Sequence, residues 1–126
     1  MTFIQEIATY LANNAVGTLG TTVFYSHLPD ASNQCVAVFD TGGTIPDRYI
    51  NTKSPTFQVF VRAATYTAGR ELLDTIRTLL HNQYNVQLTV GGVYCYSINA
   101  LSEGGHIGQN ERGLDEFSMN FQALIR

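Results

Sequence analysis

The side chains that could do chemistry in this sequence are few and widely spread. Three histidines, His27, His81 and His106, have no i,i+4 partner and no acidic companion at metal-ligand spacing. His81 falls in the last turn of a predicted helix, where an imidazolium would offset the dipole and cap carbonyls. Cys35 and Cys95 sit in apolar strand-like runs, lack a C-x-x-C companion, and are expected as buried free thiols. A disulfide between them is the other arrangement the sequence allows. Glu111, Asp115 and Glu116 form the densest acidic group, and paired carboxylates can do acid–base work. Arg112 interrupts them, however, and the stretch opens a strand, so a solvated loop is the expectation. Neither glycine pair makes a phosphate cradle: GGTIPDR lacks the lysine and Ser/Thr of a P-loop, and GGHIGQN does not open a helix after a strand. Tyr49, Tyr66, Tyr84, Tyr94 and Tyr96 could stack on bases or sugars. Tyr94 and Tyr96 share a strand face, but without a nearby Arg or Lys a role in the core or in a subunit contact is favoured. No catalytic motif emerges, and no metal or cofactor is called for.

The elements that must position these residues are organised around positions 48–82. A polar loop leads to a strand after Pro55, with Phe57, Val59, Val61 and Ala63 on one side and Gln58, Phe60 and Arg62 on the other. After Ala64 the period lengthens. Ala68, Leu72, Leu73, Ile76, Leu79 and Leu80 form one helical stripe, and Arg70, Glu71, Asp74 and Arg77 fall mostly on the solvent side. Upstream, residues 2–13 read as a helix opened by a Thr2/Gln5 capping box, with Glu6 as a first-turn acid facing the positive helix end. Strands are predicted over 21–26 and 34–39, separated by a turn at 27–33, and Asp40–Pro46 reads as a connector. Downstream, strands are predicted over 86–90 and 93–100, with Gly91-Gly92 as a hairpin turn or bulge between them. A glycine-rich loop over 102–115 then leads to the cleanest strand. There Phe117, Met119, Phe121, Ala123 and Ile125 alternate with Ser118, Asn120, Gln122 and Leu124. The order α–β–β–β–α–β–β–β predicts an α+β fold. It comprises a mixed, largely antiparallel sheet of about five or six strands, with two helices packed on one face.

At 126 residues the chain reads as one domain, 1–126, able to bury a core without staples. Only 13% of its residues are charged, against a usual figure of about 25%. The surface must be neutral and polar, which suits protein–protein contact but also fits a low-charge soluble protein. Net charge is −3 and Lys53 is the only lysine, so no basic stripe exists to neutralise phosphates. The N-terminus lacks the pattern of a signal peptide, no apolar run approaches a bilayer span, and a cytoplasmic protein is expected.

The run Arg48-Tyr49-Ile50-Asn51-Thr52-Lys53-Ser54-Pro55-Thr56-Phe57-Gln58-Val59-Phe60-Val61-Arg62-Ala63, followed by Tyr66, Gly69 and the helix, resembles the tail terminator or minor capsid proteins of long-tailed bacteriophages. So does Ile107-Gly108-Gln109-Asn110-Glu111-Arg112-Gly113 leading into Glu116-Phe117-Ser118-Met119-Asn120-Phe121, although Asn110 stands where the family pattern has an acid. The resemblance covers nearly the whole chain. It implies a non-enzymatic virion protein that forms a homo-oligomeric ring, usually hexameric, on the head-proximal end of the tail tube. The ring stops tube polymerisation and offers a docking surface to the DNA-filled head. The implied partners are copies of the chain, the tail tube protein and a head-completion or stopper protein. DNA passes through the lumen without specific binding, and no membrane is involved. Such a protein would reside in the virion neck, after assembly in the host cytoplasm. The 40–54 and 103–115 loops are the expected contact segments, with Asp47, Arg48, Tyr49, Lys53, Glu111, Arg112 and Asp115 as interface residues. Two other readings remain: another head–tail connector component, such as a stopper or head-completion protein, or a small ligand-binding α+β protein using the tyrosine-bearing sheet face.

Overall fold

The strand after Pro55 and the terminal strand alternate so regularly that each must place one whole face against a core, and they do so side by side. In the computed structural model, which describes residues 2–14, 16–26, 34–43, 53–81, 83–89, 92–101, 104–109 and 113–126, the elements in chain order are α1 (Phe3–Asn13), β1 (Val23–Tyr25), β2 (Cys35–Gly43), β3 (Pro55–Ala63), α2 (Tyr66–Leu80), β4 (Gln83–Gln87), β5 (Tyr94–Ala100), β6 (Gly105–Gln109) and β7 (Asp115–Ile125). The strands form one mixed sheet in the order β1-β2-β3-β7-β5-β4, with β6 also paired to β7. β1 runs parallel to β2, and the other pairings are antiparallel. On the edge of β7 away from β3, β5 takes Phe121–Ile125 and β6 takes Asp115–Ser118, so β6 continues β5 along the same strand.

Register explains the core. Phe57, Val59 and Val61 stand opposite Phe121, Met119 and Phe117, and Val36 and Val38 stand opposite Val61 and Val59. Side chains directly opposite on an antiparallel pair share a face, and all of these are buried in one cluster with Ile7, Leu11, Leu73, Ile76 and Leu80 of the two helices. Both helices therefore lie on one face, joined by the Tyr10 hydroxyl donating to the carbonyl of Leu79 (3.4 Å). The predicted capping box is present: Gln5 N–H donates to Thr2 Oγ1, and Thr2 N–H donates to Gln5 Oε1.

The structure corrects the sequence reading at several places. On α2, Ala68 is exposed and Gly69 is the residue facing the sheet. Asp40–Gly43 continue β2 rather than forming a connector, paired to Phe57–Pro55 past an irregularity between Asp40 and Gly42. Gly42 has φ +100°, a conformation open chiefly to glycine. β4 begins at Gln83, three residues before the predicted start, because the turn back to β5 closes early: Gly92 N–H donates to Thr89 O (3.0 Å). In β5 the simple alternation fails. A register shift between Cys95 and Ser97 puts Cys95 on the core side with Ile98. The stretch predicted as a 102–115 loop contains β6, and β7 starts at Asp115. The turn predicted at 27–33 lies outside the described residues.

Candidate functional site

No cluster of three or more metal-ligating side chains occurs among the described residues, and none of their helices is long and apolar enough to cross a membrane. The features of interest are instead the stems of the two predicted contact loops and the side chains that brace them.

Asp47, Arg48, Tyr49, Glu111 and Arg112 lie outside the described residues. Lys53 is exposed and forms a two-way backbone bridge with Ile125, its N–H donating to Ile125 O (2.8 Å) and its carbonyl accepting from Ile125 N–H (2.9 Å). Across the sheet, Gly43 is the partner of Pro55, so both ends of the 44–52 segment leave from the same end of the sheet. Asp115 is at the opposite end of β7. The ten steps between Asp115 and Ile125 span roughly 34 Å of extended strand, so the structure does not bring Lys53 and Asp115 together.

Asp115 is only 6% exposed. It stands between Ala63 of β3 and Gln109 of β6, and its Oδ1 accepts from His106 Nε2–H at 2.8 Å. The His106 ring packs on Tyr66 (5.2 Å between centroids) and Phe117 (5.0 Å). Asp115 is thus committed within the protomer, pinning β6 to β7 beneath the N-terminus of α2. Sequence reading missed this pairing because His106 and Asp115 become neighbours only when the glycine-rich segment folds into a hairpin. Nine residues between a histidine and an acid was the one signal available.

Two further ties were not foreseen. Glu6 is buried rather than facing solvent at the helix start, and its Oε1 accepts from Val93 N–H (2.8 Å) and from the Thr89 hydroxyl (3.2 Å). It fastens α1 to the β4–β5 turn, which is why that turn closes at Thr89. On the other face, buried Arg62 directs Nε and Nη2 to Glu116 Oε2, each at 3.3 Å. His81 also differs from expectation. Its Nδ1 accepts from Ala100 N–H (2.9 Å), so that nitrogen carries no proton, and the ring ties α2 to β5 as an acceptor instead of acting as a cation.

Both cysteines are free and buried. Burial, with a smaller push from the Glu6 carboxylate, raises the Cys95 thiol from 9.0 to about 11. The folded chain keeps this proton at pH values where the unfolded chain has lost it. The resulting stabilisation is complete below pH 9 and is lost as pH rises toward about 11. Denaturant midpoints for wild type and Cys95→Ala should therefore converge over that window, a pH series that checks the assignment.

Tyr94 and Tyr96 adjoin edge to face (5.1 Å), and the Arg126 guanidinium lies 5.8 Å from the centroid of the Tyr94 ring. A cation does stand by these tyrosines, contrary to the reading from sequence, because Arg126 N–H donates to Tyr94 O at the end of the sheet (3.0 Å). Nearby, Ser97, Asn99, Gln122 and Leu124 line a shallow hollow of about 220 Å³. No poised acid–base pair faces it among the described residues.

The comparisons bear on this arrangement of braced loops without visible chemistry. A solved chain from the virion of a native gene transfer agent particle shares the fold, with a TM-score of 0.65 at 13% identity, covering 96% of this chain and 89% of that one. No curated protein matches by sequence. The sequence profile described as bacteriophage tail terminator protein matches residues 10–126, from within α1 through β7. Since that match takes in every strand, α2 and both predicted contact loops, the chain belongs to the bacteriophage tail terminator family.

Proposed function

We propose that this structural virion protein forms a ring, hexameric as is usual in the resemblance drawn above, on the head-proximal end of a tail tube, where it stops tube growth and receives the head. Family membership over residues 10–126 carries the reading. The geometry supports it in a specific way. A collar between tube and head needs separate faces for two partners and closing contacts between copies. The stems of the 44–52 segment and of the β6–β7 hairpin leave from opposite ends of the sheet, which suits that division of labour. Asp47, Arg48, Tyr49 and Lys53 serve one set of contacts, and Glu111 and Arg112 the other, with Asp115 as the internal anchor of the second loop. Charges at such rims set register and partner choice more than raw affinity. The net charge of −3 keeps a DNA-conducting lumen from holding phosphates. Assembly takes place in the host cytoplasm, and the finished protein stays in the virion neck.

The test is to add purified protein to polymerising tail tubes. A terminator fixes their length and appears at one end by electron microscopy, whereas tubes growing on unchecked would assign the chain to a stopper or head-completion role. Arg112→Glu is expected to leave the circular dichroism spectrum and melting temperature unchanged yet abolish capping. Full capping by that variant would remove the 103–115 loop from the interface.

A further inference from the structure

Taken with the ring reading, on which this rests, two features at diagonally opposite corners of the sheet complement each other. The first is a half-open cleft of about 380 Å³ where the start of α1 meets the ends of β1, β2 and β3. Its walls include Phe3, Ile4, Tyr25, Asp40, Pro55 and Thr56. That volume falls in the roughly 300–1,000 Å³ range of ligand pockets, room enough for large side chains from a partner. Its lining carries a carboxylate, Asp40, and no cation. The second is a protrusion. Ile107 is 58% exposed and Tyr66 53% exposed, both unusually open for large apolar side chains.

The protrusion is rigid. The Tyr66 ring rests on His106 and on Phe117 (5.5 Å), and His106 is held by Asp115. The irregularity in β6 between His106 and Gly108, with Gly108 at φ +142°, puts Ile107 outside the regular ladder. A bulge of this kind re-aims a side chain and blunts an edge against strand pairing, so Ile107 is presented as a knob and not as part of a β-ladder. Arg70 stands at the same corner, its Nη1 donating to Gly104 O (3.4 Å), and so puts positive charge beside the knob where the cleft offers a carboxylate.

Along β3 the cleft lies at Pro55–Thr56 and the protrusion just beyond Ala63, a separation of roughly 23 Å along the strand. Across the sheet, β1 and β6 are four strand spacings apart, roughly 19 Å. One chain cannot fill its own cleft from that distance. A second copy can, and because knob and hole are different surfaces the contact is head-to-tail, the kind that makes rings when the rotation closes. We infer that the Ile107–Tyr66 corner of one protomer seats in the cleft between α1 and β1–β3 of the next.

Single-cysteine additions test this. Ile107→Cys and, separately, Tyr25→Cys or Thr56→Cys are introduced into the chain, whose own thiols are buried. The variants are then mixed, under oxidation, with and without tail tubes. The expected result is a disulfide-linked pair only when an Ile107→Cys chain meets a cleft-cysteine chain, and a ladder ending at the ring when one chain carries both changes. Rings seen by electron microscopy with no such cross-link would overturn this contact and leave the collar intact. Equal cross-linking within a single variant would overturn its head-to-tail character. Absence of any ring, free or on tubes, would overturn both this inference and the reading on which it rests.

Discussion

Alanine at position 121 is expected to lower the free energy of unfolding by roughly 3–5 kcal/mol, the usual loss for a buried phenylalanine. Phe121 is fully buried in the middle of β7, and its ring stacks on Phe57 at 5.2 Å with an interplanar angle of 11°. Phe57 in turn receives the edge of Phe3 from α1 (5.7 Å, 80°). The ring therefore sits within a column linking the two central strands to the first helix, and its neighbours can collapse into the gap only by moving strand backbone. A domain of ordinary stability has about 5–15 kcal/mol in total, so the variant should be marginal at best. Urea melts would show a lowered midpoint with an unchanged slope. A loss under about 1 kcal/mol would mean that this face of β7 is not the core.

Gly69→Ala is the second large effect, and its sign separates two lines of reasoning. Helix propensity alone makes alanine better than glycine inside α2 by about 1 kcal/mol. Packing makes it worse. A Cβ on Gly69 would collide with Phe117 Cε2 and lie 2.9 Å from Cδ2 and 3.0 Å from Cζ. That ring is fully buried and wedged under Tyr66 and His106, so it cannot swing away. Overpacking of this kind typically costs about 1–3 kcal/mol. A net destabilisation is expected, and a higher melting temperature for the variant would show that α2 does not approach β7 so closely.

The parts of the fold legible from sequence are those where a side-chain period was long and unbroken. β3 and β7 alternate through nine and eleven residues, and α1 announces its start with Thr2 and Gln5. Misreadings arose where pairing, rather than composition, makes the element. Gly105–Gln109 has little strand character of its own, and it is extended because β7 outruns β5 and offers it a partner. The same logic carries β2 through Gly42 and Gly43. In β5, one irregularity moves Cys95 to the core side, and periodicity cannot foresee such a step. Among the site residues, Asp115 and Lys53 were visible as charges. Their different fates, one held by His106 and the other bridging backbone to Ile125, depend on which distant segment lies alongside. Gly69 was passed over in favour of Ala68 because a stripe scored by hydrophobicity gives no weight to a residue whose merit is being small.

β7 is the last strand to be synthesised, yet it lies between β3 on one edge and β5 with β6 on the other. Until it leaves the ribosome, the two halves of the sheet share no hydrogen-bonded ladder, and β3 and β5 each present an unsatisfied edge. At a synthesis rate of about 5–20 residues per second, the 52 residues from Ala63 to Asp115 take roughly 3–10 s to appear, a long exposure for a half-built sheet. Nascent copies should therefore be chaperone clients, and docking competence should switch on abruptly at chain completion, so that prematurely stopped translation products are kept out of the particle.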